Sequence, residues 1–568
     1  MITGHDGTSS GKGEPPATDH EEIEWQLDAA DLGPVEGWLG LRPSGSSGLV
    51  VDPEPTVEIT DAYYDTEDWR LYRAGYALRV RETDGAFEAT MKSLAPAQGS
   101  LRNRREISEP LENDKPATLG DARGPVGKRL RPIVGDHKLR QLFRIRTSRR
   151  RFALLLVGSS GEDQNYARAG EVSLDASEIP VGGELVSLRR VEVEAETGTA
   201  PGPDLHGLVD ERQAALDLIP ATLSKYETGL YASGFDPEGD ASFGPTHIDP
   251  SMSVGEVAFA VLRGQFAEMR SHEAGTRFGE DPEELHDMRV PTRRMRAAIK
   301  VFTDVLPERA RWFGEELRCV AQALGEVRDL DVQIERFEAV KREADGESSR
   351  SLDKIIRITE KRRAEARRAM LVVLDSERYE RLESSFGRML RRGPGSEPPQ
   401  TDGHDPAGAP VTAAAPALIS HRYRKWRKAA KRLDAASSPE AFHDVRKKGK
   451  RLRYALEFFS EVYGEPVQKL VEPLKALQDD LGDHQDTVVA AGYLRELGTT
   501  TGGMRVPRGV AFTMGIYSER CAREAKDLRR AVPGSKPFRT MKSGKNWKKF
   551  EKLMKDQNGV YVPGESVR

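Results

Sequence analysis

The sequence predicts an α+β chain of two unlike parts, a β-rich first half and an all-helical second half built on an internal repeat. Three observations carry this. Residues 21–232 hold short segments of period-two alternation, IEWQL (23–27), YALRVRE (76–82), EATMKSL (88–94) and RVEVEAE (190–196), the pattern of strands with two unlike faces. Beyond residue 251, apolar residues recur at three- and four-residue spacing, as in EVAFAVLRGQFAEMRSHE (256–273) and EELHDMRVPTRRMRAAIKVFTDVL (283–306), which is the helical period. Finally, LHDMRVPTRRMRAAIKVF (285–302) matches FHDVRKKGKRLRYALEFF (442–459), and LGEVRDLDV (324–332) matches LGDHQDTVV (481–489), both at an offset of 157. Two segments agreeing in register imply two similar helical bundles presenting equivalent surfaces.

In chain order, residues 1–20 are rich in Gly, Ser, Asp and Pro and read as a disordered arm. Residues 21–234 form the β domain, with ATLSKYETGLYASG (221–234) as its closing helix or turn. GLRPSGSSGLVVDPEP (40–55) and GSSGEDQNYARAG (158–170) read as surface loops. Residues 235–250 read as a linker. The helical domain spans 251–535, its repeats lying at about 251–390 and 418–535 around a low-complexity insert, 391–417. Residues 536–568 form a basic tail, either a short helix or a loose arm.

The charge divides along the same line. Met1–Pro250 carries 27 basic and 43 acidic residues, and Ser251–Arg568 carries 60 basic and 48 acidic, so a total of −4 conceals halves of −16 and +12. Unlike halves suggest unlike partners. No apolar run approaches the ~18 residues of a membrane span, and the N-terminus shows no signal-peptide core. Two cysteines, Cys319 and Cys521, exclude a disulfide framework or a thiolate metal site, and the default compartment is the cytoplasm.

On a strand, residues i and i+2 share a face. Glu22, Glu24 and Gln26 therefore oppose Ile23 and Trp25, Arg79 and Arg81 oppose Val80, and Glu192 and Glu194 oppose Val191, Val193 and Ala195. A sheet with one wet face is the plain reading of such strands. The alternative is a closed barrel whose charged face lines a tunnel. The clusters of opposite sign favour the tunnel, since buried charges need partners. Arginines and lysines would bind an oligophosphate, and carboxylates would bind a hard divalent cation.

These residues resemble the CYTH family of triphosphate tunnel metalloenzymes, in order over about 210 residues. Glu22-Ile23-Glu24 looks like the start of the ExExK signature, LRVRE (78–82) like the paired-arginine strand, and TMKS (90–93) like the lysine strand. Arg104 and Glu106, Arg149, Asp175, Glu192 with Glu194, and Ser224-Lys225 continue the series. The resemblance implies an eight-stranded antiparallel β-tunnel that hydrolyses triphosphate substrates with Mg²⁺ or Mn²⁺. It assigns phosphate binding to Arg79, Arg81, Lys92, Arg104, Arg149 and Lys225. It assigns metal binding to Glu22, Glu24, Glu106, Asp175, Glu192 and Glu194, with Glu22, Glu24, Glu192 and Glu194 also catalytic. Two positions depart from the pattern: Gln26 replaces the signature lysine, and Ser108 stands where a second acidic residue often follows the R-x-E position.

In the second half, His286, Arg289, Arg293, Arg296 and Lys300 fall on one helical stripe, and His443, Arg446, Lys450 and Arg453 repeat it. A lone cationic stripe reads as a solvated face. Its duplication, with 13 Lys/Arg against 3 Asp/Glu between His421 and Tyr454, points to a polyanion. Two isolated histidines do not make a metal site. The HDMR and HDVR motifs, followed by LGEVRDLD and LGDHQDTV, resemble the CHAD domain over roughly 251–535. That resemblance implies two four-helix bundles around a basic groove that binds inorganic polyphosphate through His286, Arg289, Arg293, Arg296, His443, Arg446, Lys450 and Arg453, with Arg328 and Lys475 as further candidates.

The function expected is thus a polyphosphate-binding protein with metal-dependent triphosphatase activity, tethering the polymer near the tunnel. The alternatives are a non-catalytic polyphosphate binder targeted to granules, and nucleic-acid binding by the basic helices, for which no base-reading or stacking motif is present. A nucleotide cyclase role has no positive support in the sequence.

Overall fold

The computed structural model describes residues 17–40, 49–114, 119, 124–157, 166–196, 203–344, 346–395, 406–499 and 507–560. They fall into two compact units, Met1–Ala241 and Ser242–Arg568.

The first unit is built on β1 (Thr18–Asp28), β2 (Leu49–Pro53), β3 (Val57–Asp65), β4 (Tyr76–Thr83), β5 (Ala86–Ser93), β6 (Leu101–Leu111), β7 (Arg140–Val157), β8 (Tyr166–Val181), β9 (Glu184–Ala195) and the short β10 (Ile219–Pro220). Eight of these run β1-β6-β5-β4-β3-β7-β8-β9, and β9 pairs back onto β1. The result is a closed eight-stranded antiparallel barrel. β2 adds to the far half of β7, and β10 to the end of β1.

The alternation read from the sequence decides which side chains face where. Trp25, Leu27, Phe152, Leu154, Val172, Leu174, Val191 and Val193 point outward into one apolar cluster with α1 (Gly33–Gly40) and α3 (Pro203–Ala215), which contribute Val35, Leu39, Leu205 and Val209. Each such buried side chain contributes about 1.5–3 kcal/mol. A further helix, α2 (Pro125–Val134), packs on β6. The inner face is charged at mid-barrel and apolar at one end. There Tyr63, Ala77, Phe143, Ile145 and Ile179 pack against Tyr226 and Leu230 of α4 (Lys225–Ala232). Phe143 stacks on Tyr63 at 4.9 Å. Gly229 permits the close approach of α4, because a Cβ there would lie 2.0 Å from the Phe143 ring.

Three expectations change. The arm expected over 1–20 gives way to strand at Thr18, because Thr18 and His20 pair with Ser108 and Glu106 of β6; residues 1–16 lie outside the described residues. The loop expected over 40–55 contains β2, whose Val51 is buried beside Leu154. The loop expected over 158–170 contains the start of β8, paired from Tyr166 with Val157. Residues 41–48 and 158–165 lie outside the described residues. In each case backbone pairing makes a strand that a polar, Gly-rich composition hides.

The second unit is helical: α5 (Val254–Ser271), α6 (Pro282–Val301), α7 (Ala310–Glu343), α8 (Gly346–Leu374), α9 (Glu377–Arg392), α10 (Val411–Arg432), α11 (Pro439–Phe458), α12 (Glu465–Thr499), α13 (Arg508–Ala531), α14 (Lys536–Ser543) and α15 (Lys545–Val560). The repeat is visible in three dimensions: α6 corresponds to α11 and α7 to α12, and α6 packs on α11. The buried apolar residues of both repeats join in one cluster, from Val254 through Leu285, Phe313 and Phe442 to Leu474. A second cluster, including Phe337, Ile355, Leu494 and Met514, ties α7, α8, α12 and α13 together.

The insert expected over 391–417 is helical from Val411, where Val411 and Ala415 enter the core and alanines favour helix; its residues 396–405 lie outside the described residues. In the basic tail, α15 buries Trp547, Phe550 and Met554, and Trp547 stacks on Tyr423 at 3.8 Å. Residues 561–568 lie outside the described residues. Among the described residues no helix is long and apolar enough to cross a membrane.

Candidate functional site

Cross-strand register puts the inward charges of the barrel beside one another. Glu22 faces Arg104, Lys92 faces Glu106, Arg81 faces Asp61, and Arg149 faces Asp175, each pair of opposite sign. β9 differs: Glu194 faces Glu24 of β1 and Glu171 of β8, and Glu192 faces Gln26 of β1.

A cavity of about 130 Å³ opens among these groups. Glu22, Glu24, Arg79, Arg81, Lys92, Arg104, Glu106, Arg149, Glu192, Glu194 and Lys225 line it, so eleven of the twelve barrel residues expected at the site share one cavity. Asp175 does not. It is fully buried behind the wall, where it accepts two hydrogen bonds from Arg149 (2.8 and 2.6 Å) and one from Lys225. It anchors two cations and does not line the cavity, whereas the sequence reading places it among the metal ligands. Ser108 lies off the cavity as well, hydrogen-bonded to Thr18 at 2.8 Å.

The carboxylates are mostly engaged. Lys92 bridges Glu22 (2.6 Å) and Glu106 (2.5 Å), Arg104 pairs with Glu24, and Glu192 accepts from Arg149 (2.6 Å) and Lys225 (3.0 Å). Burial alone would raise Glu106, yet Lys92 and Arg79 hold it at about 2. Burial likewise opposes ionisation of Glu192, and Lys225 and Arg149 overcome it, keeping that carboxyl well below its usual range. Glu194 differs: burial, then the Glu22 charge, push it up to about 7.

The sequence reading missed Asp61, one of three acids in β3 with Glu58 and Asp65. It is 1% exposed and receives Arg81 through Nε (2.8 Å) and Nη2 (2.9 Å), with Arg79 at 3.9 Å. Its one signal is parity, since it faces Arg81 across β3 and β4. Tyr63, Thr90 and Tyr226 also line the cavity.

Among the described residues no three His, Cys, Asp or Glu side chains are gathered tightly enough to hold a metal as they stand. The donor chemistry nevertheless fits a hard cation: oxygen only, from Glu22, Glu24, Glu192 and Glu194, with the buried Gln26 Oε1 lacking any partner.

In the helical unit the two cationic stripes meet at the α6–α11 contact. Lys450 is pushed down to about 7 by burial and then by Arg446, Arg293, Arg453 and Arg289, which places these five cations together. Arg289 lies over Gly325 of α7 and Arg446 over Gly482 of α12, the same relation in both repeats. Among the described residues Nε of Arg289, Arg293 and Arg446 is buried without a hydrogen-bond partner, and Nε of Arg453 faces Glu457 Oε1 at 3.6 Å. The histidines differ: His443 Nδ1 meets Gln485 Oε1 at 2.8 Å, whereas His286 Nδ1 has no partner and burial with the Arg328 charge lowers its basicity. Arg328 pairs with Glu283 at 3.1 Å. Arg296 departs from the group, its charged neighbours being Glu315 and Arg318. Lys475 is exposed.

Family models match on both sides of the division, a CYTH domain over residues 46–204 and a CHAD domain over 260–495. The chain carries a CYTH domain followed by a CHAD domain. The CYTH match leaves out β1 and α4, yet Glu22, Glu24 and Lys225 from those elements complete the barrel site. A relative from Mycobacterium tuberculosis, itself uncharacterized, is 26% identical over 507 residues, 84% of this chain and 88% of its own. The crystal structure of the CHAD domain from the plant Ricinus communis is 26% identical, covering 52% of this chain and 96% of its own, with a TM-score of 0.43. A Hippeastrum protein described as having a dominant triphosphatase activity is 15% identical, covering 38% and 99%, with a TM-score of 0.28.

Proposed function

We propose that the CYTH barrel hydrolyses short phosphate chains such as tripolyphosphate with Mg²⁺ or Mn²⁺, and that the CHAD unit binds inorganic polyphosphate. The observation that carries the first part is the convergence of Arg79, Arg81, Lys92, Arg104, Arg149 and Lys225 on one cavity that also holds the carboxylate-rich β1–β9 seam. A divalent ion held by Glu22, Glu24 and Glu192 would neutralise charge on the phosphoryl oxygens. The arginines and lysines bind and align the chain's oxygens, Arg by paired donors and Lys as point charges. Asp61 and Asp175 keep Arg81, Arg149 and Lys225 in place. Glu194, which has no ion pair among the described residues, takes the proton of the attacking water.

The second part is supported by five cations drawn together without enough anions to satisfy them. Such a group costs stability unless a polyanion fills it.

The test is phosphate release from tripolyphosphate, ATP, thiamine triphosphate and long-chain polyphosphate, each with and without metal. Metal-dependent release lost in Glu192→Gln is expected; release no greater than that of the variant would sink the enzymatic reading. One observation favours the second reading, a non-catalytic polyphosphate binder targeted to granules: Glu22, Glu24, Glu106 and Glu192 are already held by lysines and arginines. Tight tripolyphosphate binding without turnover would establish that version. Competition between polyphosphate and DNA at fixed salt would reveal a nucleic-acid role.

A further inference from the structure

Gln26 stands at the closing seam of the barrel, beside a place where like charges face each other. Glu24 and Glu194 are direct neighbours across β1 and β9, an arrangement that destabilises a strand pair unless something lies between the carboxylates. The next pair inward is Gln26 and Glu192. Gln26 is 3% exposed and lines the cavity. Its Nε2 donates to Glu24 Oε1 at 3.0 Å and reaches Glu192 Oε1 at 3.4 Å. Its Oε1 is buried and has no hydrogen-bond partner among the described residues.

An orphaned buried carbonyl oxygen carries a desolvation penalty, so its persistence in a site asks for a ligand. The amide group suggests which. Its two ends have nearly the same shape, and a half-turn about the terminal bond exchanges donor for acceptor. In one orientation the NH₂ bridges Glu24 and Glu192, holding two carboxylates near a common point. In the other, the carbonyl oxygen joins their oxygens as a third, neutral donor around that point. Hard divalent cations accept such mixed sets of carboxylate and amide oxygens.

We propose that Gln26 Oε1 is a ligand of the divalent cation, acting with Glu24 and Glu192, and that the amide turns over as the cation enters. This rests on the metal-dependent reading of the same pocket. A lysine at position 26 offers no oxygen to a cation and adds a positive charge beside it. The neutral amide adds no charge and supplies an oxygen.

The test is Mn²⁺ binding to the full-length protein without phosphate substrate, read by the electron paramagnetic resonance of free Mn²⁺, for wild type, Gln26→Met, Gln26→Glu and Gln26→Lys. Met matches glutamine in length but has no carbonyl, and should weaken binding on the order of tenfold, the scale of losing one group around a metal. Glu should bind at least as tightly as wild type, and Lys most weakly. Equal affinity of wild type and Gln26→Met would overturn the inference alone. Absence of Mn²⁺ binding by the wild type would overturn the metal-dependent reading and this inference with it. Should Gln26→Met lose its fold by circular dichroism, the charged pair decides: equal affinities of Gln26→Glu and Gln26→Lys would overturn the proposal, and a large gap in the stated order would support it.

Discussion

Arg81 grips Asp61 by two parallel hydrogen bonds, Nε to Oδ1 at 2.8 Å and Nη2 to Oδ2 at 2.9 Å, across neighbouring strands of the barrel. Burial alone would keep Asp61 protonated, but Arg81 and Arg79 hold it ionised. Breaking such a pair from one side leaves the other charge uncompensated. Asp61→Ala is therefore expected to cost about 3 kcal/mol in denaturant unfolding, and to raise KM for tripolyphosphate as Arg81 loses its aim. Unchanged stability and KM would remove Asp61 from the supporting set.

Glu192→Gln keeps the shape of the side chain and removes its charge, where Arg149 and Lys225 now converge. Turnover of tripolyphosphate should fall by at least about a hundredfold, the scale of losing one electrostatic group at a reacting centre. Binding should persist, because two cations are freed for phosphate. Calorimetric titration with tripolyphosphate checks the second half.

In the CHAD unit, reversing charge at Arg289, Arg293, Arg446 and Lys450 should abolish long-chain polyphosphate binding in a gel-shift or calorimetric assay. Tripolyphosphate turnover by the barrel should stay as it was. Equal polyphosphate affinity would remove the helical unit from the proposal.

Lys450 gives a pH dependence whose sign can be worked out. Its folded-state value of about 7 lies below the ordinary 10.5. Below pH 7 both states carry the proton, and the folded state bears the cost of a buried charge among four arginines. Between pH 7 and 10.5 the unfolded chain binds a proton that the folded chain does not, so this group's contribution to stability rises with pH. Lys450→Met should then raise the melting temperature more at pH 6 than at pH 9, by about 2–4 °C per kcal/mol recovered. Polyphosphate binding near pH 8 should draw a proton onto Lys450, visible as a binding heat that varies with the buffer's ionisation enthalpy.

Much of the barrel site was legible because strand parity is local. Glu22 with Glu24, Arg79 with Arg81, and Glu192 with Glu194 each lie two residues apart, so their common face follows from the segment alone. Asp61 was not legible, since β3 also carries Glu58 and Asp65 and nothing in the segment marks the acid that meets an arginine until β3 is laid beside β4. Asp175 was recognised as a site residue, but its role as an anchor depends on Lys225, which arrives from a helix 50 residues later. The contact between Gln26 and Glu192 exists only once β9 closes onto β1. In the helical half the repeat exposed the cationic stripes, whereas the departure of Arg296 depends on α7 supplying Glu315 and Arg318 as its neighbours. The dense lysines of α15 hid the Trp547, Phe550 and Met554 spacing that docks it.

Tyr63, Phe143, Ile179 and Tyr226 pack across one end of the barrel's interior. A phosphate chain entering from the opposite end would meet that apolar floor, and a product leaving by the same end would stand in the path of the next arrival.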